Sequence, residues 1–461
     1  MLINTEENID IPPKSLKRNI NIKLKRPKYF CMKNGLKVIL VENHKIPLVR
    51  VVLELESIPL LEGNKAGIQK VFGQMLRSGT KNCSKEELDN IVDYMGISFH
   101  TSFSEIFIST LKRHLEKSIS IILDIIMNCR FNSSEELEKA IKQIITDIHI
   151  SEKDPNIILK RVKNIILFGK DHPYGEYETV DSVKKITLRD LKRLYKKYYI
   201  PNRFYITFVG DISVKEVKYL CKNYFSKWKK KSYIDRYKNE PKQKKISGIK
   251  IHIVNIPSLT QSSICFGKTI NLRKNDPLYI SAILANGILG EGAYSRLFIN
   301  LREKKAYTYG ACSILKPDRN IGSISTYTQV GNEVTENAIR DIIDEISNFV
   351  SKGVSLEELK IKKKETIGQF LLDLEDPARI SELFVCEKKD NLPYNFYDTL
   401  ISKIQSVTLE DVYETCKKFF NPNNGIILIV GKLKEILPSI RKLGYPINQV
   451  DQFGVLLKEN I

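Results

Sequence analysis

Apolar runs and helical periodicities divide the chain into blocks of strands and blocks of helices. Four short apolar runs predict strands, at residues 36–41, 49–55, 249–256 and 262–269. In each half, helices follow, then another pair of strands, further helices and a last buried strand ending at Gly210 or Gly431. Separate blocks, instead of strict alternation, predict an α+β fold. We expect a mostly antiparallel sheet in each half, with helices packed on one face.

The second half of the chain repeats the first. The motif KKYYIPN at residues 196–202 recurs as KKFFNPN at residues 417–423, so its first residue moves by 221 positions, from 196 to 417. At the same displacement, Gly210 matches Gly431, and each glycine ends an apolar run. A repeat of this length predicts two homologous domains.

A second set of matches lies further upstream, where Ser133 and Glu136 recur 222 positions later as Ser355 and Glu358. Both Ser-x-x-Glu pairs are predicted capping boxes, in which the two side chains bond to free N–H groups at the start of a helix. The repeat predicts an N-terminal extension at 1–25, a first domain at 26–228, a linker at 229–245 and a second domain at 246–461.

The chain is strongly basic. Its 461 residues include 74 Lys and Arg against 54 Asp and Glu, which gives a formal net charge of +20 at pH 7. This charge raises the hypothesis of a nucleic-acid-binding protein, whose binding would depend steeply on salt. However, the lysines are scattered at helix-surface spacings, and no aromatic residues alternate with them as in a stacking platform. We therefore expect solvated faces and no nucleic-acid partner.

The cysteines and the apolar segments bear on the cellular compartment. The eight cysteines are far apart and form no C-x-x-C motif, which favours reduced thiols in a cytoplasm over disulfides or a cysteine metal site. No stretch approaches the roughly 18 apolar residues that span a bilayer. Residues 1–25 alternate charges with single isoleucines, unlike a secretory signal. We expect a cytoplasmic protein without a membrane span; a periplasmic location is less favoured.

Two predicted helices carry the polar residues that bear on catalysis. In residues 64–78, an apolar stripe at helical spacing leaves Lys70, Gly73 and Gln74 on another face. Residues 134–150 form the second helix, with Asp147 to one side of its apolar stripe. The six histidines of the chain are dispersed, and no two of them have the spacing of a metal-binding pair.

Several motifs together resemble the M16 peptidase family, which includes pitrilysin, insulin-degrading enzyme and mitochondrial processing peptidase. These motifs are the helix at 64–78 with Gly79-Thr80 after it, HPYG at 172–175, Y-x-PN at 199–202 and Gly210-Asp211. The family carries H-x-x-E-H on the first helix, where two histidines bind zinc and the glutamate activates water, and a glutamate on the later helix is the third ligand. The resemblance covers nearly the whole chain, including its duplication.

At the matching positions this chain lacks the zinc-binding residues. The resemblance places Lys70 and Gln74 where the family has histidines, Gly73 at the general base and Asp147 at the third ligand. A protonated lysine does not coordinate Zn²⁺, and glycine has no group that transfers a proton. We therefore expect no metal or cofactor in this chain, with zinc in a partner subunit. A zinc metallopeptidase with non-standard ligands remains an alternative hypothesis.

The second half resembles the substrate-binding segment of the family. The sequence ILGEGAYSRL at 288–297 matches its glycine-containing loop, and the resemblance implies that Gly290, Gly292 and Ser295 belong to a loop that binds substrate. Glycine allows a close approach between the backbone of the loop and a ligand.

The sequence LREKKAYTY at 301–309 follows this loop, and the resemblance identifies Arg302 and Tyr309 as the residues that grip the substrate backbone. A guanidinium and a phenol are donors that suit a peptide carbonyl or an oxyanion. Tyr307 lies two residues from Tyr309, so we expect the two rings on the same face of a strand.

The resemblance implies a non-catalytic subunit of a heterodimeric M16-type zinc peptidase. Such a chain would pair with a zinc-bearing H-x-x-E-H subunit, enclose an unfolded peptide substrate in a shared chamber and supply Arg302 and Tyr309 in trans. Alone, it would be inactive. The other hypothesis from the same resemblance is a structural or scaffold protein without a peptidase role. Residues 97–101 are a candidate edge strand for β-addition of an extended peptide.

Overall fold

The computed structural model of the chain describes residues 24, 26–56, 59–233 and 246–461. Apart from Leu24, the predicted N-terminal extension at 1–25 lies outside the described residues, and so do residues 234–245 of the predicted linker. Within the described ranges, no helix combines the length and the apolar character needed to cross a membrane.

The first half contains a six-stranded sheet and eight α-helices among its described residues. The strands are β1 (Lys28–Cys31), β2 (Lys37–Glu42), β3 (Leu48–Leu55), β4 (Ser98–Thr101), β5 (Glu105–Leu111) and β6 (Phe204–Gly210). The helices are α1 (Ile68–Met75), α2 (Lys85–Tyr94), α3 (Leu115–Asn128), α4 (Ser134–Ser151), α5 (Pro155–Phe168), α6 (Val180–Lys184), α7 (Leu188–Tyr198) and α8 (Val214–Asn223).

The second half contains a seven-stranded sheet and a second set of eight α-helices in the part that the structure describes. The strands are β7 (Ile249–Asn255), β8 (Gln261–Ile270), β9 (Ala311–Lys316), β10 (Gly322–Gly331), β11 (Gly425–Gly431), β12 (Ile447–Val450) and β13 (Leu456–Lys458). The helices are α9 (Tyr279–Gly290), α10 (Arg296–Phe298), α11 (Thr335–Lys352), α12 (Leu356–Asp373), α13 (Pro377–Lys389), α14 (Leu400–Ser406), α15 (Leu409–Thr415) and α16 (Leu433–Ile440).

The two sheets share one strand order, which confirms the predicted duplication. The first sheet runs β1-β2-β6-β3-β5-β4, and the second runs β13-β12-β7-β11-β8-β10-β9. The order β2-β6-β3-β5-β4 therefore corresponds to β7-β11-β8-β10-β9. Strand β2 pairs with β6 in parallel, and β7 pairs in parallel with β11 and β12; the other pairings are antiparallel. The prediction of an α+β fold with mostly antiparallel sheets is confirmed.

One face of each sheet carries the main apolar core of its half. In the first half, Val51 and Phe208 face helices that bring Phe72 and Ile122 into the same cluster. In the second half, the corresponding cluster lies between its sheet and helices such as α9 and α11. Period-2 alternation along the strands selects which residues face this core, because successive side chains point to opposite faces.

The opposite face of each sheet is covered by a helix from the other half. Helix α5 of the first half contacts β8 and β11, and α13 of the second half contacts β2 and β6. Ile158 and Val162 of α5 pack against Cys265 and Leu428 of the second sheet. This exchange, which the sequence analysis did not predict, places a cross-half contact on the outer face of each sheet.

The two predicted capping boxes differ. Ser355 accepts the backbone N–H of Glu358, whose carboxylate accepts the N–H of Ser355 in return, so this box is complete. Ser133 also accepts the backbone N–H of Glu136, at 3.1 Å. However, the carboxylate of Glu136 pairs with Lys85 and Lys139. The prediction of a complete box is therefore wrong for the first half, because two lysines compete for the glutamate.

Candidate functional site

The helix that corresponds to the zinc motif is short and starts after a glycine in the left-handed conformation. The sequence analysis expected a helix over 64–78, but α1 begins only at Ile68, after Gly67 with φ of +98°. The carboxylate of Glu62 accepts the N–H groups of Gly67 at 2.5 Å and of Ile68 at 3.1 Å. Burial raises the pKa of Glu62, and the hydrogen bonds from Gly67 and Gln69 act in the opposite direction.

Lys70 and Gln74 both lie on the exposed side of α1. The Lys70 ammonium forms an ion pair with the carboxylate of Glu178, which precedes α6. A lysine ammonium has no lone pair for a metal. The two positions that would hold histidines in a zinc site therefore present a paired cation and an amide.

Gly73 is buried and lies in close contact with the loop between β4 and β5. A Cβ atom added at this position would approach the Cα atom of Ser102 to 2.8 Å and the backbone N of Phe103 to 3.2 Å. In addition, the Thr101 hydroxyl donates a hydrogen bond to the carbonyl of Gly73 at 2.8 Å. Because the obstacle is backbone, a glutamate at this position would require the loop to move.

Asp147 lies on α4, which packs against α1. Its carboxylate is exposed and accepts a hydrogen bond from the Gln143 amide at 3.0 Å. Across residues 24, 26–56, 59–233 and 246–461, no three His, Cys, Asp or Glu residues lie close enough to hold a metal ion. The alternative of a zinc site with non-standard ligands therefore finds no ligand group in this part of the chain.

Arg302 lies in a π-helical turn, Ile299–Lys304, that continues α10. Its guanidinium is exposed and stacks on the ring of Phe298, with 4.7 Å from Cζ to the ring centroid. Its nearest ion-pair contact is the adjacent Glu303, at 3.6 Å. The stacking orients the guanidinium, while the hydrogen-bond donors stay accessible to a ligand.

Tyr309 is 94% exposed and lies in the loop before β9, which begins only at Ala311. Ala306 has a positive φ of +53°, which redirects the chain between the π-helical turn and this loop. The expectation that Tyr307 and Tyr309 share a strand face is therefore wrong. Tyr307 is only partly exposed and packs against the core of the second half, so it is distinguishable from Tyr309.

The predicted substrate-binding loop follows α9, but Gly290 is the last, buried residue of that helix, so the prediction that it belongs to the loop is wrong. Gly290 touches the backbone of Ser313 so closely that a Cβ atom has no room, and Gly292 has φ of +86°. Ser295 is buried, and its hydroxyl donates to the carbonyl of Gly292 at 2.8 Å, which closes the loop. Gly290 and Gly292 border a cavity of about 430 Å³ beside β9, whereas Ser295 stabilises the loop from inside.

A larger cleft lies between the two halves. It has a volume of about 1140 Å³ and separates the outer face of the first sheet from α9, α12 and α13. Glu105 on its sheet side has a pKa raised first by burial and then by the nearby charge of Glu54. The buried Lys362 on its helix side bonds to the Glu291 carbonyl and to the Glu365 carboxylate, each at 3.1 Å.

The sequence analysis missed this cleft, although one signal for it is present. In β3, the core-facing residues alternate with Arg50, Val52 and Glu54, and charged residues at that spacing indicate a solvated face. The candidate edge strand is confirmed, because β4 is the terminal strand of the first sheet. His100 of β4 lines the cleft.

Comparisons with known proteins agree with this geometry. Residues 185–366 match the sequence profile described as the peptidase M16 inactive domain. The "Non-peptidase homolog YmxG" of Helicobacter pylori is 22% identical over 405 residues, which cover 86% of this chain and 92% of that protein. The "Zinc protease PqqE" of the same organism is 26% identical over 372 residues, which cover 77% and 81%.

Solved structures show the same fold. A peptidase M16 inactive domain from Pseudomonas fluorescens superposes with a TM-score of 0.78 at 21% identity, covering 88% of this chain and 98% of that chain. The periplasmic protease PqqL of Escherichia coli gives a TM-score of 0.74 at 16% identity and covers 91% of this chain, which spans 50% of PqqL. The chain is similar to M16 peptidase-family proteins over most of its length, residues 185–366 match the inactive domain of that family, and its relatives support a non-catalytic M16-like protein.

Proposed function

We propose that this chain is the non-catalytic subunit of a heterodimeric M16-type zinc peptidase. The observation that carries the proposal is the contact between Gly73 and the backbone of Ser102, which leaves no room for a general base on α1. With Lys70 held by Glu178, the chain cannot complete a zinc site of the family type. Peptide hydrolysis then requires a partner that contributes zinc, its ligands and the base.

The lengths of the relatives support a pairing of two such chains. This chain spans 50% of the Escherichia coli protease PqqL but 96% of its first half. One protein can therefore contain two units of this size. Helicobacter pylori has both a relative named a non-peptidase homolog and a relative named a zinc protease. We infer an analogous division between this chain and a zinc-bearing subunit, with an unfolded peptide as the substrate between them.

Arg302 and Tyr309 are the residues that we propose to reach the partner's active site. Both side chains are exposed, and Arg302 has only a loose contact with Glu303. In the pair, they would donate hydrogen bonds to the scissile carbonyl and stabilise the oxyanion that forms on it. The loop with Gly292 would hold the adjacent peptide backbone, since glycine allows its close approach.

The test is co-expression of this chain with an H-x-x-E-H subunit encoded in the same genome. We expect a stable pair with one zinc per heterodimer and peptide hydrolysis that neither chain shows alone. Arg302→Ala and Tyr309→Phe should each lower kcat roughly 10²-fold, the scale of losing one oxyanion donor. Arg340→Ala and Tyr94→Phe are matched controls, since both side chains are exposed on helices distant in sequence from the proposed site.

Two results would contradict the proposal. Chelator-sensitive hydrolysis by the isolated chain would mean that it carries its own metal site. Unchanged turnover in a heterodimer with Arg302→Ala and Tyr309→Phe would instead favour the scaffold hypothesis. Fractionation of cells in the same experiment checks the cytoplasmic location, which is part of the proposal.

A further inference from the structure

A row of cations without acidic partners covers the solvent face of α7. We call this surface the basic face, and it consists of Arg189, Lys192, Arg193, Lys196 and Lys197. All five are exposed, and at 3.6 residues per turn they fall within an arc of about 140°. Asp190 of the same helix is buried and paired with Lys65. Within the described ranges, no carboxylate forms an ion pair with the basic face.

On α4 and α11, exposed cations pair with glutamates of the same helix. Lys139 and Lys142 on α4 pair with glutamates four residues earlier, each at 2.8 Å. Arg340 on α11 pairs with Glu336 in the same way. On α7, by contrast, like charges follow each other at spacings of three and four residues, which destabilises a helix. The helix dipole favours Lys196 and Lys197 in the last turn of α7, but it does not offset the repulsion among Arg189, Lys192 and Arg193.

The repeat shows that packing does not require these cations. Helix α15 occupies the position of α7 in the second half, and its Glu410 and Glu414 stand where α7 has Arg189 and Arg193. Glu414 lies 3.8 Å from Lys417, so α15 carries mixed charges. The buried sides of the two helices serve the same role in their cores, yet only the first half presents a uniform positive face.

The basic surface extends beyond the end of α7. The indole N–H of Trp228 donates to the carbonyl of Tyr199 at 3.3 Å, and the Asn202 amide donates to the carbonyl of Lys231 at 2.9 Å. These bonds hold the exposed lysines at 229–231 beside the C-terminal end of the helix. The surface therefore combines a rigid row of cations with a second cluster at one end.

We propose that the basic face docks the protein on an anionic lipid bilayer. The 11 residues of α7 form a straight row about 16 Å long, and several cations on one helix face complement the negative surface of a membrane. A site for single-stranded nucleic acid would offer aromatic rings to the bases. The two tyrosines of α7 are not available to stack on bases. Tyr195 donates a hydrogen bond from its hydroxyl to the carbonyl of Ile126, and Tyr198 is buried.

The test is co-sedimentation of the full chain with vesicles. We expect binding to phosphatidylcholine vesicles that contain about 30% phosphatidylglycerol, no binding to pure phosphatidylcholine, and release as salt rises from about 0.05 to 0.5 M. Arg189→Glu with Arg193→Glu, which copies the charges of α15, should lower the affinity at least about tenfold. Arg189→Gln with Arg193→Gln provides a milder change if the glutamate variant does not fold, and it should also weaken binding.

The matched control is Lys434→Glu with Lys442→Glu, which changes the net charge equally at two exposed positions of the second half. This variant should bind within about twofold of the wild-type chain, since short-range contacts at the basic face dominate. Equal losses in control and test variants would overturn the proposal, because net charge alone would then explain binding. It would also be overturned by absence of vesicle binding, or by tighter binding to a DNA duplex at the same salt.

Discussion

The outer faces of the two sheets are covered in different ways, although the halves share one topology. The outer face of the second sheet is covered by α5 of the first half. This helix contributes an apolar cluster with Ile158, Leu159 and Val162. In the first half, the buried apolar contact under α13 is limited to Val385 with Ile39 and Tyr205 among the described residues. The remainder of that face opens into the cleft of about 1140 Å³.

Two domains of the same topology can therefore differ in whether the outer face of the sheet is apolar or polar. Strand β8 is buried along most of its length, so the outer face of the second sheet is closed to solvent there. Strand β3 alternates between buried and exposed residues, so the first sheet keeps a polar face. Stability is therefore concentrated at the α5 contact, and the cleft tolerates polar side chains.

The largest expected effect is at the α5 contact. Leu159→Ala should lower the free energy of unfolding by about 3 kcal/mol, because the side chain is almost fully buried and its removal leaves a cavity. Val385→Ala on α13 is the comparable change on the first sheet, and we expect a loss of about 1.5 kcal/mol there, since valine loses two methyl groups and its buried cluster is small. Urea denaturation of both variants measures the difference; equal losses would remove the contrast between the two faces.

The second prediction compares the effect on stability of alanine substitutions at two glycines in helices. Gly73→Ala should destabilise the chain by about 2 kcal/mol, since the new Cβ meets the backbone of Ser102. Gly368→Ala on α12 should stabilise it by about 0.5–1 kcal/mol, because nothing lies within 4 Å of the new Cβ and alanine favours a helix. Thermal unfolding of both variants is the measurement. A stabilising Gly73→Ala would contradict the proposed closure of the general-base position.

A third prediction concerns Lys163 of α5. Its buried ammonium donates a hydrogen bond to the Tyr327 hydroxyl at 2.9 Å. Burial lowers the pKa of Lys163 below the usual 10.5, so the folded state binds this proton less readily than the unfolded chain. Lys163→Met should therefore stabilise the chain by about 1 kcal/mol at neutral pH.

This gain has a defined pH dependence. The destabilisation by Lys163 is fully present below its lowered pKa and disappears as the pH approaches 10.5. The stability advantage of Lys163→Met should therefore shrink with rising pH in denaturation experiments between pH 7 and about 10.5. An advantage that stays constant over this range would show that the lysine is not a buried cation in the folded chain.

The smallest expected effect is the difference in stabilisation between the two Ser-x-x-Glu pairs. Hydrogen bonds and charge from Arg296, together with Ser355, outweigh burial and lower the pKa of Glu358 to about 2. The stabilisation from this lowered pKa is present above about 4.5 and is lost as the pH falls toward 2. Glu358→Gln should cost about 1 kcal/mol at pH 7, a value reduced by partial solvent exposure, and much less near pH 2.

Glu136→Gln is the matched change in the first half. Its ion pairs with Lys85 and Lys139 are near the surface, so we expect a loss of about 0.5 kcal/mol. Denaturation of both variants at pH 7 and pH 2.5 measures the contrast. A larger loss for Glu136→Gln would mean that the incomplete box contributes more than the complete one.

Local patterns were sufficient to predict most of the fold. The runs at 36–41, 49–55, 249–256 and 262–269 correspond to β2, β3, β7 and β8, and the buried strands that end at Gly210 and Gly431 are β6 and β11. The strand ending at Gly431 is not the last of its half, because β12 and β13 follow it without a clear apolar run in the sequence. The helix over 64–78 was too long, because the periodicity of its apolar residues continues outside α1 while Glu62 and Gly67 define the start. Periodicity reports which residues are buried, whereas a helix end depends on its capping contacts.

The substituted zinc motif was visible in the residues themselves, since Lys70, Gly73 and Gln74 lack the required chemistry wherever they lie. The contacts that surround these three residues were not visible in the sequence. The ion pair of Lys70 with Glu178 joins residues 108 positions apart, and the contact of Gly73 with Ser102 depends on a loop between two strands. Contacts of this kind arise from packing between distant segments, which no local pattern encodes.

By itself, the sequence determined the duplication, the α+β class and the absence of zinc-binding side chains at the motif, because each depends on residue identity and short-range periodicity. Only the tertiary structure decided the exchange of α5 and α13 between the halves, the polar cleft beneath α13 and the exposure of the α7 cations without acidic partners among the described residues. These features depend on which surfaces meet in space, since burial and screening are set by neighbours that are distant along the chain.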